Sequence, residues 1–265
     1  MKLSIAIVCS NDHLISRCLN SIPADVPIIA VLNFPDEYVQ NVVEQDSRVK
    51  ICRWDERNLG KLRQVAVENC DTPAICFIDS DCVIGNDMVS IVEKELDDYY
   101  AVNIPVRYEY NNKRTKAVSD CRQFTTPDSL LLMPFAFRIS LQKKIGNLFN
   151  DKLSWGEDSD QRKRMKEQNI EYGISKAIVY HKILTIKEDA KSAIRLGRGT
   201  YIQEKNINSK PRKLLKDLSI IHEIKSAHKC YKFTKQFNAA LYHFFIWRPA
   251  YKYGYWKVRM RKNAN

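Results

Sequence analysis

Residues 74–82 read Ala74-Ile75-Cys76-Phe77-Ile78-Asp79-Ser80-Asp81-Cys82. An apolar run follows Pro73 and ends in two carboxylates separated by one serine. A short uninterrupted apolar run predicts a strand covered on both faces, the habit of mainly parallel sheets flanked by helices. In such sheets ligands sit beyond the carboxyl ends of the strands. Two carboxylates at that edge are costly unless solvated or paired with a cation. Hard divalent ions such as Mg²⁺ or Mn²⁺ take oxygen ligands of this kind and are often completed by substrate phosphates. Asp81 is then the metal ligand, with Asp79 orienting a hydroxyl or a metal-bound water. A solvated acidic turn is the plain alternative for the same residues.

The neighbouring sequence repeats the strand–helix alternation. Strands are expected at Leu3–Val8, Ile28–Leu32, Val49–Trp54 and Ala101–Val106, with helices at His13–Leu19, Glu37–Val43, Leu62–Asn69 and Met88–Leu96. This is an α/β pattern with crossover helices. Residues 107–128 are polar and read as a loop with short strands. Leu130–Phe137 returns to the core, Leu141–Phe149 suits a short helix, and Ile170–Tyr180 completes the sheet.

A second acidic group, Gly156-Glu157-Asp158-Ser159-Asp160, follows Ser154-Trp155, and the spacing of Ser154 and Glu157 is that of a capping box. The helix it opens runs to about Gln168. Helix-end amides can hold Asp158 ionised and oriented, the state a general base requires. A capping turn carrying solvated aspartates is the alternative.

Charge is segregated along the 265 residues. Residues 1–186 hold 24 Lys/Arg against 26 Asp/Glu, whereas residues 187–265 hold 19 against 5. The back region is also aromatic, with 11 of the 27 Phe, Trp and Tyr residues between Tyr231 and Trp256. Two domains follow: a catalytic domain over 1–186, with halves near 1–106 and 107–186, and a helical basic extension over 187–265. Leu214, Leu215, Leu218, Ile221 and Ile224 form one apolar stripe in that extension, and Phe237, Leu241, Phe244 and Phe245 form another. Lys and Arg beside Trp247 and Trp256 point to an anionic membrane surface met by residues 222–265. The alternative is that these aromatics pack back onto the chain.

Composition excludes a fibrous repeat and a wholly disordered chain. No apolar run has the length of a spanning helix. The opening MKLSIAIVCS lacks a small-residue cleavage site and reads as a first strand rather than a signal peptide. Eight cysteines without a CxxC pair suggest a reducing compartment, Cys9 and Cys76 lying within expected core strands.

Taken in order, these segments resemble a family 2 glycosyltransferase of the GT-A fold. The resemblance is carried by SIAIVCSNDHLISRCLNSI, by IIAVLN, by Asn58-Leu59-Gly60, by Asp79-Ser80-Asp81, and by Gly156-Glu157-Asp158-Ser159-Asp160 about 75 residues later. It covers residues 3–182. It implies an inverting, metal-dependent transfer from a nucleotide-sugar, with Asp158 as base and Glu157 orienting the acceptor. Donor contacts would come from Ser10, Asn33, Asn58 and Lys61, together with Arg63, Asp79, Ser80 and Asp81. The metal, Mn²⁺ or Mg²⁺, would be held by Asp81 and by His181, which otherwise reads as a hydrogen-bonded residue ending a strand.

Where relatives end the second strand with paired aspartates, this chain has Leu32-Asn33. Asn33 can still pair with a uracil-like edge, but the departure leaves the base open; among nucleotide-sugars a UDP-sugar is favoured over GDP- or dTDP-sugars. The usual Ala-Arg-Asn helix is missing; Lys61 and Arg63 stand near by, either on the diphosphate or facing solvent. No QxxRW-type signature of processive relatives occurs, which favours single transfer. The expected acceptor is a glycan or lipid-linked saccharide in cell-surface polysaccharide or glycoconjugate synthesis, selected in part by Arg122 and Gln123. The expected location is cytoplasmic, at the inner face of the cytoplasmic membrane. Two other readings are a sugar-nucleotide nucleotidyltransferase, disfavoured because Cys9-Ser10-Asn11-Asp12-His13 is no glycine-rich loop, and a nucleic-acid-binding protein using the basic tail, which has no reader motif.

Overall fold

The computed structural model describes residues 2–206 and 219–262. Leu214, Leu215 and Leu218 of the first apolar stripe lie outside them. The chain forms two compact units, one of residues up to Arg107 with Asp128–Lys182, the other of Tyr108–Pro127 with the described residues from Ile183 onward.

In the first unit β1 (Leu3–Cys9), α1 (Ile15–Ser21), β2 (Ile28–Leu32), α2 (Glu37–Glu44), β3 (Val49–Arg53), α3 (Leu59–Glu68) and β4 (Ala74–Asp79) alternate as expected. The short β5 (Cys82–Ile84), α4 (Met88–Asp98), β6 (Ala101–Asn103) and β7 (Val106–Tyr108) follow. The main sheet has the order β3-β2-β1-β4-β8-β6-β9, where β8 is Phe135–Arg138 and β9 is Gly173–Ile174. It is parallel except for β8, which runs antiparallel to both β4 and β6.

Side chains alternate across a strand, so each apolar run supplies two cores. Ile5, Ile7, Ile28, Ala30, Cys76 and Ile78 face one side, packing with Ile15 and Leu19 of α1, Val39 and Val43 of α2, and Met88 and Val92 of α4. Ala6, Ile29, Val31, Ile75 and Phe77 face the other, with Leu62 and Ala66 of α3. On that second side Phe77 lies 5.8 Å from Phe135 and 5.1 Å from Phe149, ring centre to ring centre. Each fully buried ring of this kind contributes about 1.5–3 kcal/mol over an exposed one.

Four expectations change. Residues 107–128 are not a loop: Lys113–Thr125 is a helix, α5, closed at its start by a capping box between Asn112 and Thr115. It belongs to the second unit, whereas the division at residue 186 places it in the front domain. After α6 (Gln142–Ile145) comes α7 (Glu157–Glu167), whose cap is Gly156 in the left-handed region at φ 77°, with no side-chain cap. The Ser154–Glu157 capping box is therefore not formed. Residues 170–180 also divide: β9 ends the main sheet, while β10 (Val179–His181) pairs antiparallel with β5 in a second, three-stranded sheet of order β5-β10-β7.

The second unit continues with α8 (Ile186–Asn206), α9 (Ile220–Thr234), α10 (Phe237–Tyr242), a π-helical turn at His243–Trp247, and α11 (Arg248–Lys262). α8 and α11 touch backbone to backbone: a Cβ on Gly197 would stand 1.9 Å from the Tyr251 carbonyl oxygen, and one on Gly254 2.1 Å from that of Ile194. The core joins Ala117, Val118 and Cys121 of α5 to Leu184, Ala193, Tyr242 and Trp247. Among the described residues no helix is long and apolar enough to cross a membrane.

Candidate active site

Parallel register aligns the ends of three strands at one edge of the first unit: Cys9 pairs with Leu32, and Val8 with Asp79. Asn33 and Ser10 follow directly, and the amide of Asn33 donates to the Cys9 carbonyl (2.9 Å). Asp79 and Asp81 therefore stand where the alternation of strands predicts a ligand. The antiparallel pairing of β10 with β5 sets His181 opposite Cys82 and so beside Asp81. His181 Nε2 lies 3.4 Å from Asp81 Oδ2, and its Nδ1 faces the Lys182 carbonyl oxygen at 3.1 Å.

The Asp79 side chain is open to solvent, yet protein surrounds it closely enough that burial, then the Asp81 charge, raises its pKa. Arg63 and His181 act in the opposite direction. Such a carboxylate pair calls for positive charge. Two ligands about 2.1 Å from one cation and at right angles stand about 3 Å apart, so the His181–Asp81 separation suits a shared hard cation. The Asp79, Asp81 and Cys82 ligand atoms lie within 4.8 Å of one another. Burial and both carboxylates push the Cys82 thiol well up, so it stays protonated and is no ligand for a hard ion. The oxygen and nitrogen donors present fit Mg²⁺ or Mn²⁺. Lys182, not singled out by its sequence, places Nζ 3.3 Å from Asp81 Oδ2 and supplies positive charge at the same point.

Several expected donor contacts are committed elsewhere. Arg63 is 7 % exposed and forms a buried ion pair with Glu157, itself 4 % exposed, its guanidinium carbon 5.9 Å from the Phe135 ring centre and 5.8 Å from that of Phe149. Arg63 thus faces neither solvent nor an open diphosphate site, and Glu157 turns inward rather than toward an acceptor. The reason is local: Leu59–Glu68 buries this face of α3 on the sheet, and the first residue of α7 arrives opposite. Burial raises the Glu157 pKa even beside Arg63, and Asp158 and Asp79 push the same way. Ser80 is buried and donates to Asp12 Oδ2 (3.1 Å). Asp12, which motif reading missed, also accepts from the Leu14 amide (3.1 Å). Its signal is an Asp three residues before a helix start.

Asn33 is buried, and its side-chain amide donates to the carbonyls of Trp54 (2.6 Å) and Glu56 (3.1 Å), holding the chain that leads into α3. Asn58 caps α3 by accepting from the Lys61 amide (3.1 Å), while its Nδ2 donates to the Asp151 carbonyl (2.5 Å). Gly60 donates to the Leu153 carbonyl (3.0 Å), and a Cβ there would stand 2.3 Å from the Asn150 oxygen. Asn58-Leu59-Gly60 is thus a seam between α3 and the turn that precedes α7. Lys61 is half-buried, its ammonium 5.1 Å from the Trp54 ring centre, and Ser10 is exposed at the strand edge.

Asp158 is half-buried in the first turn of α7, with Oδ1 accepting from the Ser159 amide (2.7 Å). Arg63 acts on the Asp79 charge and Asp79 on that of Glu157, so the head of α7 lies within electrostatic range of the strand-edge carboxylates. Arg122 is committed within the second unit, buried in an ion pair with Asp189, whose other oxygen accepts from the Tyr242 hydroxyl (2.6 Å).

The profile described as Glycosyl transferase family 2 matches residues 4–152, more than half of the chain. The chain belongs to glycosyltransferase family 2. Among curated proteins none matches it in sequence. Among solved structures it is similar to S. aureus TarS 1–349 in complex with UDP-GlcNAc, at TM-score 0.53 and 16 % identity over 98 % of this chain and 92 % of that one. The same TarS fragment with UDP gives 0.51 with the same identity and coverage. At this identity the likeness shows the fold, a GT-A-like α/β arrangement with a C-terminal helical extension.

Proposed function

We propose that the protein transfers one sugar, with inversion, from a UDP-sugar to a hydroxyl of a glycan or lipid-linked saccharide in the synthesis of a cell-surface polysaccharide or glycoconjugate. The observation that carries this reading is the convergence of Asp79, Asp81 and His181 at the strand edge, to which the reading adds Asp158 at the head of α7 as base. The UDP and UDP-GlcNAc complexes of the TarS fragment support the choice of base. The acceptor oxygen attacks the anomeric carbon, the bond to the diphosphate breaks on the opposite face, and the acceptor proton passes to the Asp158 carboxylate. One attack from one face inverts the centre. A Mg²⁺ or Mn²⁺ ion held by Asp81 and His181 would offset charge on the leaving diphosphate. Arg63 and Glu157 position α7 rather than touch the reactants. The test is incubation of the full chain with UDP-, GDP- and dTDP-sugars and Mn²⁺. Thermal protection and nucleoside diphosphate release with UDP-sugars are expected; pyrophosphate release, or a response only to GDP- or dTDP-sugars, overturns the reading.

The proposed location is the cytoplasmic face of an anionic membrane. Its support is the exposed surface of α9, α10 and the π-helical turn, where Ile221, Ile224, Phe237 and Phe245 are 62 %, 56 %, 65 % and 66 % exposed, with the exposed Lys225, Lys229, Lys232 and Lys235. Apolar side chains with a basic fringe suit an acidic lipid surface. The contact surface differs from the expected one. Trp247 is buried, stacked on Tyr251 (5.4 Å), and Lys252 pairs with Glu223 (2.5 Å).

A further inference from the structure

We propose that Cys121, Cys230 and His243 form a binding site for zinc, separate from the strand-edge site and independent of the transfer chemistry. The three residues come from α5, α9 and the π-helical turn, and all are buried. Their Sγ, Sγ and imidazole nitrogen atoms lie within 4.8 Å of one another. Cys121 Sγ is 3.6 Å from His243 Nδ1. A thiolate at about 2.3 Å and an imidazole at about 2.05 Å from one tetrahedral Zn²⁺ stand about 3.6 Å apart.

The second nitrogen of the imidazole is also fixed. His243 Nε2 lies 2.9 Å from the Ser226 hydroxyl, and Trp247 stacks on the ring at 5.5 Å. A ligating histidine whose other nitrogen is hydrogen-bonded is the usual outer arrangement of a zinc site. The π turn is a further mark, since such turns in helices often serve a site. Burial keeps the imidazole neutral, its pKa pushed down to about 4. Binding would release both thiol protons to solvent, so that Zn²⁺ and two thiolates make a neutral buried group. Three protein ligands leave the fourth position to water.

The chemistry separates this site from the first. Asp79, Asp81 and His181 offer oxygen and nitrogen to a hard ion, whereas two sulfurs and an imidazole select a softer one. The rival occupants of the same space are a hydrogen-bonded thiol chain and a Cys121–Cys230 disulfide.

The test uses the full chain, purified without chelator, with one equivalent of Zn²⁺ or Co²⁺ added before gel filtration. About one zinc per chain and a thiolate-to-cobalt charge-transfer absorption are expected. Both should be lost in Cys230→Ser and kept in Cys82→Ser and Asp81→Asn. Should Cys230→Ser fail to fold, the unmodified chain still decides: zinc should protect Cys121 and Cys230 from alkylation under mild denaturant, mapped by peptide mass. No retained zinc with no cobalt absorption overturns the proposal. So does an absorption that depends on Cys82, equal alkylation with and without zinc, or a Cys121–Cys230 disulfide in the unreduced protein.

Discussion

Arg63 and Glu157, 94 positions apart in the chain, meet as a buried ion pair that ties α3 to the first residue of α7. The two adjacent acids of Glu157-Asp158 therefore have opposite surroundings: Glu157 is enclosed with a cation, while Asp158 is half-buried in the open turn.

That contrast separates two substitutions. Asp158→Asn keeps size and removes a proton acceptor, so transfer is expected to fall by roughly 10² to 10⁴ while donor affinity persists. Glu157→Gln leaves a buried guanidinium without its counter-charge and should destabilise the chain by about 3–5 kcal/mol. Kinetics and denaturant unfolding on both variants check this. Near-normal transfer in Asp158→Asn assigns the base elsewhere.

Asp81 stands within reach of both His181 and Lys182. Asp81→Asn should weaken donor binding in Mn²⁺ and lower transfer at least about tenfold, because diphosphate charge is left poorly compensated. Calorimetric titration with a UDP-sugar, with and without metal, reads the effect. Activity that is metal-independent and indifferent to this change removes the metal role.

Gly60 has no room for a methyl group beside the Asn150 and Leu153 carbonyls. Gly60→Ala should cost about 1–3 kcal/mol through forced backbone displacement. Because the displaced turn leads into α7, kcat should fall more than donor affinity. An unchanged melting temperature with unchanged kcat would show that the seam yields freely.

Glu223 gives a pH signature in the second unit. Burial opposes its ionisation, but hydrogen bonds from Arg248 and Lys252 overcome this and hold its carboxyl below the ordinary range. A lowered folded-state pKa means stability present above the unfolded value, about 4.3, and lost as pH falls through the folded one. Melting temperatures measured down through this range should drop more steeply for the unmodified chain than for Glu223→Gln. Parallel curves refute the assignment.

Changing Lys225, Lys229, Lys232 and Lys235 together to Gln should abolish most sedimentation with anionic vesicles, since each basic group near the surface contributes about 1 kcal/mol. High salt should have the same effect by screening. Unaltered sedimentation after the four-fold change sinks the electrostatic part of the membrane reading.

The main sheet was legible because β1, β2 and β4 are nearly continuous apolar runs, and because Asp79 and Asp81 interrupt one of them at its end. α5 was not, since its buried apolar side chains are the small Ala117, Val118 and Cys121, diluted among lysines and arginines, and their covering residues come much later in the chain. Arg63 misled for a related reason. A cation close behind Asn58-Leu59-Gly60 suggests phosphate, and only the fold reveals a carboxylate 94 positions away. A still longer separation, 122 positions between Cys121 and His243, hid the cysteine and histidine cluster.

The second unit takes one helix from the middle of the chain and the rest from its later part, and this has a consequence for the order of synthesis. Thr125 ends α5, and Trp247, a core residue of that unit, comes 122 positions later. At ribosomal speeds of about 5–20 residues per second, the apolar side of α5 waits on the order of ten seconds for its partners. During that interval residues 128–182 emerge and can close the first unit around the looped-out segment. A protein truncated after residue 186 never leaves that state, so it should need a chaperone or a detergent to stay in solution even with its strand-edge site intact.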